Sequence, residues 1–455
     1  MSGPKVVRVV TREERVAICS SLVAKLDAAL ASLNAQCAKY GDAEGFAFVA
    51  TSTQRRTALL SMIREDKFDL AETQARQEIT FIQAIKGGVI DRATRAAATA
   101  REQASRRRQA ASSLAQELER KMPGQHAELV ASLKRAAAES KPESSADALL
   151  SRAMIALAPE ASPAQLSEAQ RALAKSLQTS ESGSIGPGAT WVFPHAQDKR
   201  IAALQIKLSQ LDVLSSEAAT EFADRLAQLE HEPASMTRSM RLDGLVLDIS
   251  SRVEEVKREE AALESARSLA AEIGIWTESA TLSSIGSSLN DAIARRNIAQ
   301  LPGLEAEATA ALEQATHQAA AAARREAILS GLASLGYQIN ESMATSWVQD
   351  GRVVLKKSDQ DQHGIELASA ADAQRLQVRA VAFSASLPSA ANLAAETAWC
   401  GDFSKLQDCL KQQSGELVIE RAMAVGAVPL KVMEAPEAWR VESPTVSAPR
   451  VRQLR

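Results

Sequence analysis

The side chains able to run chemistry in this 455-residue chain are few and scattered. Five histidines (His126, His195, His231, His317 and His363) stand singly. His231-Glu232 opens like the zinc motif of metalloproteases, where two histidines one helical turn apart grip one ion. Here Pro233 follows, and position 235 holds serine. A metal-dependent nuclease pattern wants Asp on one strand and Glu-x-Lys on the next. The strand-forming region offers Asp350, Asp359, Asp361 and Glu366, but Ala368 stands where Lys is needed. Glu255-Val256-Lys257 has the spacing, yet it falls inside a helical pattern, where residues two apart face different ways. These acids are therefore assigned to solvation and turns. Residues 359–364 (DQDQHG) resemble a loose metal loop and read better as a polar hairpin loop.

Phosphate and nucleophile motifs fare no better. There is no GxxxxGK[ST] loop, and Gly186-Pro187-Gly188 has no lysine at the required spacing. There is no GxSxG elbow. The four cysteines (Cys19, Cys37, Cys400, Cys409) form no CxxC and read as small, reduced hydrophobes. Trp399-Cys400-Gly401-Asp402-Phe403 is unusual in composition. It reads as the break between one helix and the cap of the next, or as a surface feature for binding. No catalytic residue, cofactor or metal is expected.

One stretch is strongly basic. Arg92, Arg95, Arg101, Arg106, Arg107 and Arg108 are opposed only by Glu102. Such a run is either a solvated helix face, since Arg is a good helix former, or a face for phosphates or an acidic partner. No aromatics interleave to stack bases. The net charge of −3 gives no global attraction to nucleic acid or anionic membrane.

The elements that must position these residues are mainly helical. Alanine is abundant and aromatics are only 3%, which suits narrow helix–helix seams more than a thick enzyme core. The chain is organised around residues 198–273, read as two long helices folded against each other. The first carries Ile201, Leu204, Leu208, Leu211, Ala218 and Phe222, continued by Leu226 and Leu229, with one skip at Ser215. The second carries Leu242, Leu245, Ile249, Val253, Val256, Leu263, Ala270 and Ile273. Steps of three and four keep each stripe on one face, and each helix would span about 45–55 Å at 1.5 Å per residue. Ile201, Leu204, Leu208, Leu211, Leu245, Ile249, Val253 and Val256 form the candidate assembly seam.

Around this centre, residues 1–121 form a helical region after a short strand at Val6–Val10. Thr11 and Glu14 there fit a capping box. A turn is expected at residues 41–45, a weak point at Gly87-Gly88 and a firm turn at Leu301-Pro302-Gly303. Residues 122–178 carry shorter helices, one opening at Ser162-Pro163. Residues 179–197 form a linker that ends in the apolar patch Trp191–His195. Residues 198–335 are the helical hairpin and a further Ala-rich helix. Residues 336–435 form a small α+β domain, a β-meander flanked by helices. Asp350-Gly351 is expected as its hairpin turn, and Leu393, Trp399, Phe403, Leu406 and Leu410 as the inward face of its helix. Residues 436–455 form a mobile basic tail.

The fold class expected is mainly α, a long antiparallel coiled-coil or helical-bundle body with a small C-terminal α+β domain. No apolar run approaches the roughly 18–20 residues of a membrane span. The first ten residues lack a signal core, and a cytoplasmic location is expected. The function expected is a non-enzymatic scaffold or adaptor that binds a protein partner or a second copy of itself, with the α+β domain as its head. Val6–Val10, of this chain or another, is a candidate to add to an edge of the sheet. The alternative is a nucleic-acid-associated accessory protein of a bacterial multi-gene machine, using the Arg92–Arg108 face.

Overall fold

In the computed structural model the opening strand, β1 (Lys5–Val10), alternates as a half-buried strand must: Val7 and Val9 are buried and Arg8 is exposed. Residues 4–138, 146–157 and 199–433 are described, apart from 234, 340, 358, 359 and 371. The expected linker, the Trp191–His195 patch, the helix at Ser162-Pro163 and the basic tail lie outside them.

The chain is mainly helical, 74%, with long helices packed antiparallel and a C-terminal antiparallel sheet region. It divides into two compact units. One comprises Met1–Ala35, Phe46–Gln83 and Ala262–Arg455, the other Gln36–Gly45 and Ala84–Ala261.

In the first unit, α1 (Arg12–Tyr40) and α2 (Ala43–Arg64) run antiparallel, fixed by the Arg56–Asp27 ion pair. The α1 helix holds an 18-residue window of mean hydropathy 1.7, so it is long and apolar enough to cross a membrane, contrary to expectation. Of that window 39% is buried within the protein, and Leu22, Leu26, Leu30 and Leu33 face inward. The start of α3 (Phe68–Lys121) joins α2 through Glu78, which accepts from Ser52 Oγ at 2.5 Å and Arg55 at 2.9 Å. Farther on come α8 (Met236–Ile273), α9 (Ala280–Ala294) and α10 (Leu301–Ser334). Leu263, Ile273, Leu282, Leu289, Leu301 and Leu312 fill their common core. Leu301-Pro302-Gly303 is the first turn of α10, where proline's missing N–H costs nothing, and not a separate loop.

The sheet of this unit has the order β2 (Tyr337–Gln338), β3 (Arg352–Lys357), β4 (His363–Ser369), β5 (Arg375–Ala382), β1, β6 (Glu416–Ala422), and β7 (Lys431–Val432) lies parallel to β5. The N-terminal strand thus sits between two strands from the far end of the chain, with Lys5 opposite Val378 on one side and Ala422 on the other. Beyond the β3–β5 meander, the sheet is completed by β1 from the other end of the chain, paired with β5 on one side and β6 on the other. One sheet face carries Val7, Val9, Leu355, Ile365, Leu367 and Val378. It packs on α10, on α11 (Glu341–Asp350) through Trp347, and on α12 (Ser389–Gln412) through Trp399, Phe403, Leu406 and Leu410.

Asp350-Gly351 is not a hairpin turn. The residues before it form α11, and Gly351, at φ +66°, turns the chain from helix into β3. Glycine reaches that left-handed geometry without a Cβ clash, so it suits a helix end as well as a hairpin.

In the second unit, the long first helix expected from Asp198 is two helices, α6 (Lys199–Leu214) and α7 (Ser216–His231). Ser215 is extended at φ −147°, and its side chain caps α7 by accepting from the Ala218 amide. The skip in the apolar stripe marks the corner. Gln205–Glu230 ties α6 to α7, Arg225–Asp248 ties α7 to α8, and Lys207–Ser250 ties α6 to α8. The three helices therefore run up, down and up. The α3 helix passes through Gly87-Gly88 unbroken. Val89 beside them is fully buried, and packing outweighs a glycine penalty of about 1 kcal/mol each. The expected turn at residues 41–45 is only Gly41-Asp42, and α2 begins at Ala43. Gly45 lies within that helix, and a Cβ there would meet the Cys37 sulfur at 2.4 Å, so a larger residue would not fit without a shift. The helices α4 (Ala127–Ala138) and α5 (Ala146–Leu157) close the end of α3 around Ala115, Leu118, Leu133 and Ala153.

Candidate functional site

The arginine stretch lies along α3, and much of it is engaged. Arg92 meets Asp42 at 2.6 Å, Arg101 meets Asp212 at 2.7 Å, Arg106 meets Glu102 at 2.5 Å and Arg107 meets Asp147 at 2.8 Å. Three of these join α3 to other segments: the α1–α2 turn, α6 and α5. The hydrogen bond from Arg92 holds the Asp42 carboxyl below its usual value and raises the Arg92 guanidinium. Arg95 and Arg106 are exposed, and Arg108 is partly buried.

The candidate seam residues meet in one place. Leu204, Leu208, Leu211, Leu245, Ile249, Val253 and Val256 are buried together in the core of α6, α7 and α8, and Ile201 packs against them. The stripe is covered by helices of the same chain.

The acids assigned to solvation and turns include one that is neither. Glu366 on β4 is 2% exposed and sits opposite Arg379 on β5. It accepts from Arg379 Nε at 2.5 Å and from Lys431 Nζ at 3.0 Å. Burial pushes its carboxyl up, but the two hydrogen bonds and the two positive charges pull harder, and the net shift is down. The cluster pins β7 to the sheet. Among the described residues no group of three or more His, Cys, Asp or Glu side chains is arranged to hold a metal ion.

The feature suited to contact lies on α12. Ala390, Ala394 and Ala398 recur every four residues, and with Leu393, Thr397 and Gly401 they line an open groove of about 660 Å³. Leu393, expected inward, is 48% exposed. The helix runs unbroken through Gly401-Asp402, so that pair neither ends one helix nor caps another. Gly401 instead leaves open space along the groove. Asp402 closes one end, buried and accepting from Tyr337 Oη at 3.2 Å and Lys357 Nζ at 2.9 Å, with Lys405 at 3.6 Å. Beneath it Tyr337, Trp399 and Phe403 stack edge to face. Sequence reading missed Lys357, Lys405 and the groove. The available signal was the four-residue alanine spacing, which leaves a shallow track on the face away from Trp399 and Phe403.

Comparison with protein-family models, with curated proteins and with solved structures returned no match for this chain.

Proposed function

We propose that this chain is a non-enzymatic scaffold or adaptor. Its helical body holds geometry, and the groove on α12 receives an apolar segment of a protein partner. The observation that supports this is Leu393: a large apolar side chain left half in solvent, in a groove floored by alanine and glycine and ended by lysines. A small-residue floor lets a second helix approach closely and bury its own side chains. The arginine stretch supports a nucleic-acid reading less well, because four of its six side chains already hold carboxylates of this chain.

A photo-crosslinking residue at exposed Thr397, compared with one at exposed Glu217, tests the proposal in cells. One recurring protein adduct at position 397 and none at 217 supports it. The same spread of adducts at both positions overturns it. Light scattering at low and high salt then tells whether the partner is a second copy. A duplex titration that weakens steeply with salt favours the nucleic-acid reading.

A further inference from the structure

Lys5 is an unusual occupant of its position. It is the first residue of β1, on the same inward face as Val7 and Val9, and it is 3% exposed. Among the described residues no carboxylate pairs with it. Its Nζ lies 4.1 Å above the Phe403 ring and 3.5 Å from Cys400 Sγ. A buried ammonium ordinarily needs an anion, because desolvation is costly. Here it faces an aromatic ring and a sulfur. Cys400, on α12, is partly exposed and is not in a disulfide, so a small oxidant can reach it. A nitrogen nucleophile and an oxidisable thiol are thus held in contact across 395 residues of sequence.

The geometry points to Lys5 and Cys400 as a redox modification site that closes as a sulfur–nitrogen cross-link. Hydrogen peroxide first oxidises the Cys400 thiol to sulfenic acid, its O–O bond breaking and water leaving. Lys5 gives one proton to solvent, and the freed Nζ lone pair attacks the sulfur. The S–O bond breaks, the hydroxide takes a second proton from nitrogen, and water leaves. The product is a sulfenamide, Lys-NH–S-Cys, lighter than the reduced chain by two hydrogen atoms. A thiol reductant returns both side chains by attack on sulfur. The link joins the N-terminal strand to α12 and turns a strand held by hydrogen bonds into one held covalently. It also closes a very long loop, which restricts the unfolded chain.

The test is mild hydrogen peroxide treatment of the full chain, followed by trypsin digestion and mass spectrometry with and without dithiothreitol. The expected result is a peptide containing both Lys5 and Cys400. Cleavage after Lys5 is lost, and dithiothreitol restores it. The same link is absent from Lys5→Arg, which keeps the cation over Phe403, and from Cys400→Ser. The oxidised wild type melts at a higher temperature than the reduced one, and reductant reverses the rise. The proposal is overturned if Cys400 is recovered as sulfinic acid or as a dimedone adduct while Lys5 stays unlinked. It is equally overturned if Lys5→Arg yields the same oxidised products as the wild type.

Discussion

Arg324 and Glu14 stand 310 residues apart in sequence and form a two-pronged ion pair, Nη2 to Oε1 at 2.5 Å and Nε to Oε2 at 3.2 Å. Arg324 is buried, and its Nη1 also donates to the Asp372 carbonyl at 2.8 Å. One guanidinium thereby ties α10, the start of α1 and the β4–β5 connection together. The pair also changes the expected cap of α1. Thr11 Oγ1 accepts from the Glu14 amide at 3.3 Å, which is the forward half of a capping box. The Glu14 carboxylate turns to Arg324, because a buried guanidinium is a stronger partner than a helix-end amide.

Removing one member of that pair leaves the other uncompensated. Glu14→Ala is expected to destabilise the first unit by about 3–5 kcal/mol in urea unfolding followed by tryptophan fluorescence. Adding Arg324→Leu to it should recover part of the loss, because the orphaned charge is gone. A double variant as unstable as the sum of the singles would show that the two groups are not coupled.

The Glu366 cluster sets a pH dependence. The folded carboxyl titrates below its ordinary value of 4.5, so the unfolded chain takes up protons first as acid is added. The stability it contributes is full above that value and drains as pH falls through the folded pKa. In unfolding midpoints measured across the acid range, Glu366→Gln should show a flatter decline than the wild type. Equal slopes would remove Glu366 from the account.

Two glycines should respond in opposite directions. Gly244, inside α8, has nothing within 4 Å of where a Cβ would stand. Gly244→Ala is expected to stabilise by about 0.5–1 kcal/mol. At Gly364 on β4 an added Cβ would meet the Leu355 carbonyl oxygen at 2.5 Å and Phe383 at 2.7 Å. Backbone cannot step aside as a side-chain tip can, so Gly364→Ala should lower the melting temperature clearly.

Ser215 makes the corner between α6 and α7. Ser215→Ala removes the acceptor for the Ala218 amide and should cost about 1 kcal/mol. Denaturant titration would register this, and no loss would mean that the corner is set by core packing alone.

Arg101 and Asp212 offer a check on the basic stretch. If Arg101 serves to hold α3 against α6, reversing both charges (Arg101→Asp with Asp212→Arg) should restore most of what either reversal loses. The recovery is expected to be about 0.2–1 kcal/mol for a partly exposed pair. A double variant that gains nothing over the singles would leave Arg101 available for another role.

Local patterning was legible wherever one element buries one stripe. Leu204, Leu208, Leu211, Ile249 and Val253 were readable as inward because a 3.6-residue period puts them on one face. Ser215 was visible as a skip in that stripe, though not as a reversal of direction. A skipped position and a one-residue corner look alike in sequence, and only the return of α7 along α6 separates them. Leu393 was misread because a large apolar side chain on an amphipathic helix reads as inward by type, although it lies with Ala390, Ala394 and Thr397 on the groove side of α12, away from Trp399 and Phe403. Glu366 was missed because a carboxylate looks the same in sequence whether water or two cations surround it.

By itself the sequence determined the helical content, the apolar stripes, the strand at Val6–Val10 and its need for a sheet. These follow from period, propensity and backbone hydrogen-bond demand, all of which act within a few residues. Only the tertiary structure decided that β1 lies between β5 and β6, that Arg92, Arg101 and Arg107 meet Asp42, Asp212 and Asp147, and that Lys5 rests against Cys400. Most of those contacts join residues far apart in the chain. Sequence separation carries no direct record of which distant groups meet, because loop closure over long distances costs little more for one partner than for another. Complementary burial and charge across the whole fold select the pairing.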